Sequence, residues 1–156
     1  MSFQAWKESK TPAKTDPPEA RTALAGTPLV DTRVLAELAG VQPNAGVAAW
    51  AAGTHRIALS VVTLEELTAG IARRPFPALR TWLDAFVARH CEVLDVTAPI
   101  ARLAGTLRGQ LAARRRTRPQ ADLLVVATAA HHGLVLVTRN VRELGGLGVS
   151  LLNPFA

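Results

Sequence analysis

From Thr27 onward the chain alternates short apolar runs with longer helix-type stretches, and this alternation constrains the fold more than any other feature. A run of Leu, Val and Ile too short for a helix and apolar on both sides reads as a buried strand of a parallel sheet, with the helical stretch after it as the crossover. The pattern predicts a strand over 28–31, helices over 34–38 and 45–52, a strand over 56–60, and a helix over 62–73 that breaks at Pro75 and Pro77. A helix over 77–89, a strand over 92–96 and helices over 99–115 and 119–132 follow. A strand over 134–137, a short helical turn over 141–144 and a strand over 149–152 close the chain. The expected class is α/β, a three-layer fold whose central, mostly parallel sheet carries helices on both faces. At 156 residues and 49% hydrophobic, the chain has material for one core and is too short to favour two. Residues 1–26, rich in Lys, Thr, Pro, Ala and Glu and without apolar periodicity, read as a flexible tail, which leaves 27–156 as the domain.

Acidic residues stand at the edges of these apolar runs. Asp31 closes Leu29 and Val30, Glu65 and Glu66 follow Val61 to Leu64, and Asp122 opens the stretch Leu123 to Ala130. A carboxylate in such surroundings needs its charge compensated, and one divalent cation with oxygen ligands compensates several at once. The fold class supplies a common address, because open parallel sheets bind ligands beyond the carboxyl ends of their strands. Asp31 and Asn140 each follow a strand, Glu66 lies in the first turns after another, and Asp122 enters near a helix start, where Pro119 suits the turn and the dipole favours an anion.

Each of these residues also has a plain structural role open to it. Asp31 with Thr32 is a good helix cap. A helical wheel puts Leu64, Leu67 and Ile71 on one face and Glu66 opposite, beside Val62, Ala69 and Gly70; that face is either solvated or a place of close approach. His131 and His132 before Gly133 read as a helix end with a left-handed cap, not as metal ligands. Gly145 to Gly148 reads as a turn into the last strand, since no adequate helix follows for a nucleotide loop. Cys91, the only cysteine, excludes an intrachain disulfide, fits a reducing cytosol and reads as a small buried hydrophobe. With no signal-peptide core and no uncharged apolar stretch of membrane length, the expectation is a soluble cytoplasmic protein. The formal charge of +6, from 18 Lys and Arg against 12 Asp and Glu, fits either an anionic partner, nucleic acid first, or simple solubility. Arg114, Arg115, Arg116 and Arg118 are accordingly either phosphate contacts or a solvated helix end.

Taken together, the ordered blocks resemble the PIN-domain nucleases, specifically the VapC-type toxins of toxin-antitoxin modules. Leu29 to Leu38 is similar to their first strand and turn, Ser60 to Gly70 to their second block, and Ala121 to Asn140 to the third and fourth combined; Leu152 to Phe155 resembles the usual C-terminal ending. The resemblance implies an Mg²⁺- or Mn²⁺-dependent endoribonuclease, with Asp31, Glu66 (the acid immediately before Leu67) and Asp122 holding metal and Asn140 orienting a water. It also implies a homodimer and a small inhibitory antitoxin, with Arg114, Arg115, Arg116 and Arg118 as candidate RNA contacts. Trp50, Phe76 and Trp82 are candidate interface aromatics or core residues. Two positions depart from the pattern. Arg33 stands where the family usually has Asn or Ser, and either competes with the cation for Asp31 or clamps an RNA phosphate. Asn140 stands where many relatives have Asp, with Glu143 as a candidate replacement. These departures leave a second expectation, a catalytically weakened PIN domain that binds RNA or a partner without cleaving.

Overall fold

Successive residues of a strand point to opposite sides of its sheet, and here both sides are apolar. In the computed structural model, which describes residues 24–74 and 76–155, five strands form one sheet: β1 (Leu29–Val30), β2 (Ile57–Ser60), β3 (Cys91–Leu94), β4 (Leu136–Val137) and β5 (Leu151–Leu152). All neighbours pair in parallel, in the spatial order β3-β2-β1-β4-β5. Leu29, Ala58 and Leu136 face one core, while Val30, Ile57, Leu59 and Val137 face the other.

The first core is covered by α5 (Ala98–Ala113) and α6 (Gln120–His132), which bring Ile100, Leu107, Leu123 and Val126 onto the sheet. On the other face α1 (Thr32–Ala39), α2 (Ala45–Ala52) and α4 (Pro77–His90) contribute Val34, Leu38, Val47 and Phe86. The helix α3 (Val61–Arg73) follows β2 directly and packs against both α1 and α6, so it spans the crevice end of the sheet. A four-residue helix, α7 (Val141–Leu144), follows β4. The apolar character of α6 all round has its reason here: Leu123 and every residue from Val125 to Ala129 are buried.

The strands are shorter than the apolar runs that announced them. Hydrogen bonding continues past their ends, from Leu29 N to Val135 O and from Leu136 N to Ser150 O, both within 2.9 Å, but the register that defines a strand is kept only at the centre. Helix α3 begins at Val61, one residue early, because Ser60 Oγ accepts from Val62 N and caps it. Of the expected tail, residues 1–23 lie outside the described residues; Leu24 to Gly26 form a turn, closed by Thr27 N donating to Leu24 O, and Leu24 packs on the first core. Trp50 and Trp82 pack against the second core, Trp82 stacked on Phe86, whereas Phe76 is 65% exposed. Burial pushes the Cys91 thiol up to about 12, as suits an inert hydrophobe.

The expected cap after His132 is present: Gly133 has φ +65° and its N–H donates to the Ala129 and Ala130 carbonyls. A Cβ added there meets nothing within 4 Å, so the cost of one is backbone strain alone. Gly133→Ala is expected to lower the unfolding free energy in urea by about 1 kcal/mol, and Gly133→Asn by less, since Asn tolerates the left-handed region.

Candidate active site

The strand order reverses between β1 and β4. From β1 the chain winds outward through β2 to β3, then returns to the other side of β1 with β4 and β5. Chains diverge at such a point and leave a crevice beyond the carboxyl ends of the two strands. Asp31 comes directly after β1, and Thr138, Arg139 and Asn140 directly after β4.

Hydrogen bonds close this end of the crevice. Asp31 N donates to Val137 O at 3.0 Å and so extends the β1–β4 ladder to the carboxylate itself. Asp31 Oδ1 accepts from Thr32 N at 2.7 Å, which caps α1, and Oδ2 accepts from the fully buried Thr138 hydroxyl at 2.8 Å. The same hydroxyl accepts from Asn140 N at 3.1 Å. Both readings of Asp31 therefore hold together: it caps a helix and faces the crevice.

Glu66 enters from α3, one turn after the buried Thr63, and accepts a hydrogen bond from the Thr32 hydroxyl. It is half-buried while its neighbour Glu65 is exposed, which decides what the helical wheel left open. Asp122 enters from the first turn of α6, also half-buried. Among the described residues its carboxylate has no hydrogen bond and no ion pair. Desolvation raises its pKa, the charges of Asp31, Glu66 and Glu143 raise it further, and Arg33 opposes them. Asp31, Glu66, Asp122 and Glu143, though distant in sequence, thus share one electrostatic neighbourhood.

The donors stand open. Among the described residues no three His, Cys, Asp or Glu side chains are gathered tightly enough to hold a metal ion by themselves. A closed cage, such as structural zinc requires, is absent from the described residues. A hydrated hard cation is a different guest, because Mg²⁺ retains several waters and takes only one or two carboxylates directly. An unpartnered, half-buried carboxylate beside two others that keep free lone pairs fits that guest.

The arginines divide. Arg33, exposed on α1, donates from Nη1 to Asn140 Oδ1 at 3.4 Å. Arg118 is half-buried; its Nε donates to the Glu143 carbonyl at 3.1 Å and its Nη1 to Thr117 O at 2.8 Å, which fixes it beside α7. Arg114, Arg115 and Arg116 are exposed where α5 ends, Arg115 at φ 55°. The sequence reads Thr32 only as part of a helix cap and Thr138 not at all, yet both hydroxyls position a carboxylate. Their only signal in the sequence is adjacency, to Asp31 in one case and to Arg139 and Asn140 in the other.

The PIN domain family matches residues 29–144, the span from β1 to the end of α7. The chain belongs to the PIN-domain family. Within it, the chain is 28% identical over 135 residues to the VapC ribonuclease Y4jK of Sinorhizobium fredii, covering 81% of this chain and 96% of that one. It is 33% identical over 94 residues to the tRNA(fMet)-specific endonuclease VapC of Shigella flexneri, covering 60% and 70%. The crystal structure of DNA-bound VapBC from Salmonella typhimurium superposes with a TM-score of 0.73 at 26% identity, over 83% of this chain and 98% of the other. This PIN domain is of the VapC toxin type, and the fold expected of it is the fold observed. Among its described residues no helix is long and apolar enough to cross a membrane.

The raised pKa of Asp122 carries a stability consequence whose sign is fixed. A carboxyl whose folded-state pKa lies above its ordinary value near 3.8 binds protons more tightly folded than unfolded, so stability falls as pH rises through that window. In metal-free buffer Asp122→Asn is expected to melt higher than wild type at pH 7, the difference vanishing below about pH 3.8. A variant that melts lower at pH 7 would show instead that the carboxylate has a structural partner.

Proposed function

We propose that this PIN domain is an Mg²⁺- or Mn²⁺-dependent endoribonuclease that hydrolyses RNA phosphodiester bonds as the toxin of a toxin-antitoxin pair. The observation that carries the reading is Asp122: a half-buried carboxylate without a hydrogen bond or ion pair among the described residues, within electrostatic reach of Asp31 and Glu66 at the switch point of a parallel sheet. Holding Asp122 half-buried within reach of two other acidic charges raises the free energy of the metal-free protein. Catalysis is the function that accounts for such a cost.

Asp31, Glu66 and Asp122 would hold the cation, which when bound lowers the pKa of a water and neutralises charge developing on the phosphoryl oxygens. The chain's own residues do the positioning. Thr138 and the start of α1 fix both oxygens of Asp31, and Thr32 orients Glu66. Asn140, its backbone anchored on the Thr138 hydroxyl, offers an amide oxygen that accepts from a water without adding charge. Arg118 at the crevice rim and Arg114, Arg115 and Arg116 beyond it are the proposed contacts to the RNA backbone, with single-stranded or loop RNA as the substrate class.

The VapC resemblance supports a small antitoxin as inhibitor and a homodimer as the working form. A second reading, a PIN domain that binds RNA or a partner and has lost much of its cleavage, draws on Arg33, whose guanidinium reaches Asn140 in the crevice. Cleavage of RNA that stops with EDTA and returns with Mn²⁺ separates the two.

Under the nuclease reading, Glu66→Gln and Asp122→Asn each lower cleavage of single-stranded RNA roughly a hundredfold or more, whereas exposed Glu65→Gln stays near wild type. Activity lost at Glu65 and kept at Glu66 would reverse the assignment. For binding, replacing Arg115 and Arg116 together with Ala should reduce the slope of log affinity against log salt by about 1.4, the share of two single-strand phosphate contacts. An unchanged slope would return these two to solvent.

A further inference from the structure

Arg33 occupies a position that its own helix disfavours. It lies in the first turn of α1, where the amides give the helix end a partial positive charge that only the Asp31 cap carboxylate, already engaged by Thr32 N and the Thr138 hydroxyl, balances locally. Further groups that offset the position lie across the crevice. The Arg33 guanidinium donates to Asn140 Oδ1 at 3.4 Å, spanning from the end of β1 to the end of β4, and its charge reaches Asp122 with sign opposite to those of Asp31, Glu66 and Glu143. No salt bridge within 4.0 Å joins it to any of these acids among the described residues. A guanidinium cannot shed its proton, so this charge is present at every working pH.

We propose that Arg33 is a resident cation of the carboxylate crevice: seated on Asn140, it offsets part of the acids' charge and occupies one acceptor, so that the protein binds divalent metal weakly. The inference rests on the metal-dependent reading given above and adds to it the residue that sets metal affinity. Its physical basis is Coulombic. A divalent ion entering beside Asp31 and Asp122 meets a fixed positive charge, and the repulsion is least screened where the crevice is partly desolvated.

Calorimetric titration of the full chain with Mn²⁺ alone tests it, using wild type, Arg33→Gln, Arg33→Lys and Asp122→Asn. Arg33 is exposed, so its variants disturb no core packing. The expected result is an affinity about tenfold tighter in Arg33→Gln, an affinity near wild type in Arg33→Lys, which keeps the charge, and loss of binding in Asp122→Asn. If Asp122→Asn binds Mn²⁺ as wild type does, or if none of the proteins binds it, the metal-site reading itself fails. If Asp122→Asn loses binding while Arg33→Gln binds no more tightly than wild type, the metal site stands and the resident-cation proposal is overturned. Tightening in Lys as large as in Gln overturns it as well, since charge is then not the cause.

Discussion

The hydrogen bond from the Thr138 hydroxyl to the Asp31 carboxylate, 2.8 Å long and buried at its donor end, is the contact on which the site depends. It joins the ends of two strands that are neighbours in the sheet although 107 residues separate them in the chain. Around it the ladder bond from Asp31 N to Val137 O, the cap on α1 and the turn into Asn140 all fall into place. A carboxylate held at both oxygens keeps one orientation. The crevice therefore has a rigid wall on the β1–β4 side, and α3 and α6 bring Glu66 and Asp122 to it.

The two sides of the crevice are built on different principles. On the strand side the polar groups satisfy one another, which is the usual condition for burial. On the α6 side Asp122 has no partner among the described residues, at the head of a helix whose next turns are buried almost completely. An apolar helix of that kind has little freedom to move away, so packing of Leu123, Val125 and Val126 against the first core holds an unfavourable charge in place. Core stability and site chemistry are linked through that one helix. The charges of Arg33 and Glu143 then adjust the same locus from opposite directions.

The fold of the PIN-domain family accounts for the crevice, and several charged or polar side chains of this chain lie at its margin. Asn140 contributes no charge, Glu143 lies within reach to contribute some, and Arg33 subtracts some. Arg118, tied to the Glu143 carbonyl, orders the rim next to α7. A change of charge at the margin of a site alters affinity without disturbing the fold, because exposed side chains make few packing contacts.

By itself the sequence determined the class of fold and put forward the candidate acids. The central strands are apolar on both faces, and a parallel sheet covered on both sides buries both. Asp31, the pair Glu65 and Glu66, and Asp122 stood out because charge beside an apolar run demands a partner. Strand ends, by contrast, were decided by register with neighbours, which is why the four-residue stretches 134–137 and 149–152 yielded β4 and β5 of two residues each. The half-burial of Glu66 beside exposed Glu65 was equally tertiary: the Thr32 hydroxyl meets Glu66 across 34 residues of chain, and no helical wheel contains that contact. Thr138 and the direction of Arg33 belong to the same class. A hydroxyl or guanidinium declares its role only by what lies within hydrogen-bonding distance, and for these residues the partners are brought there by the reversal of strand order between β1 and β4.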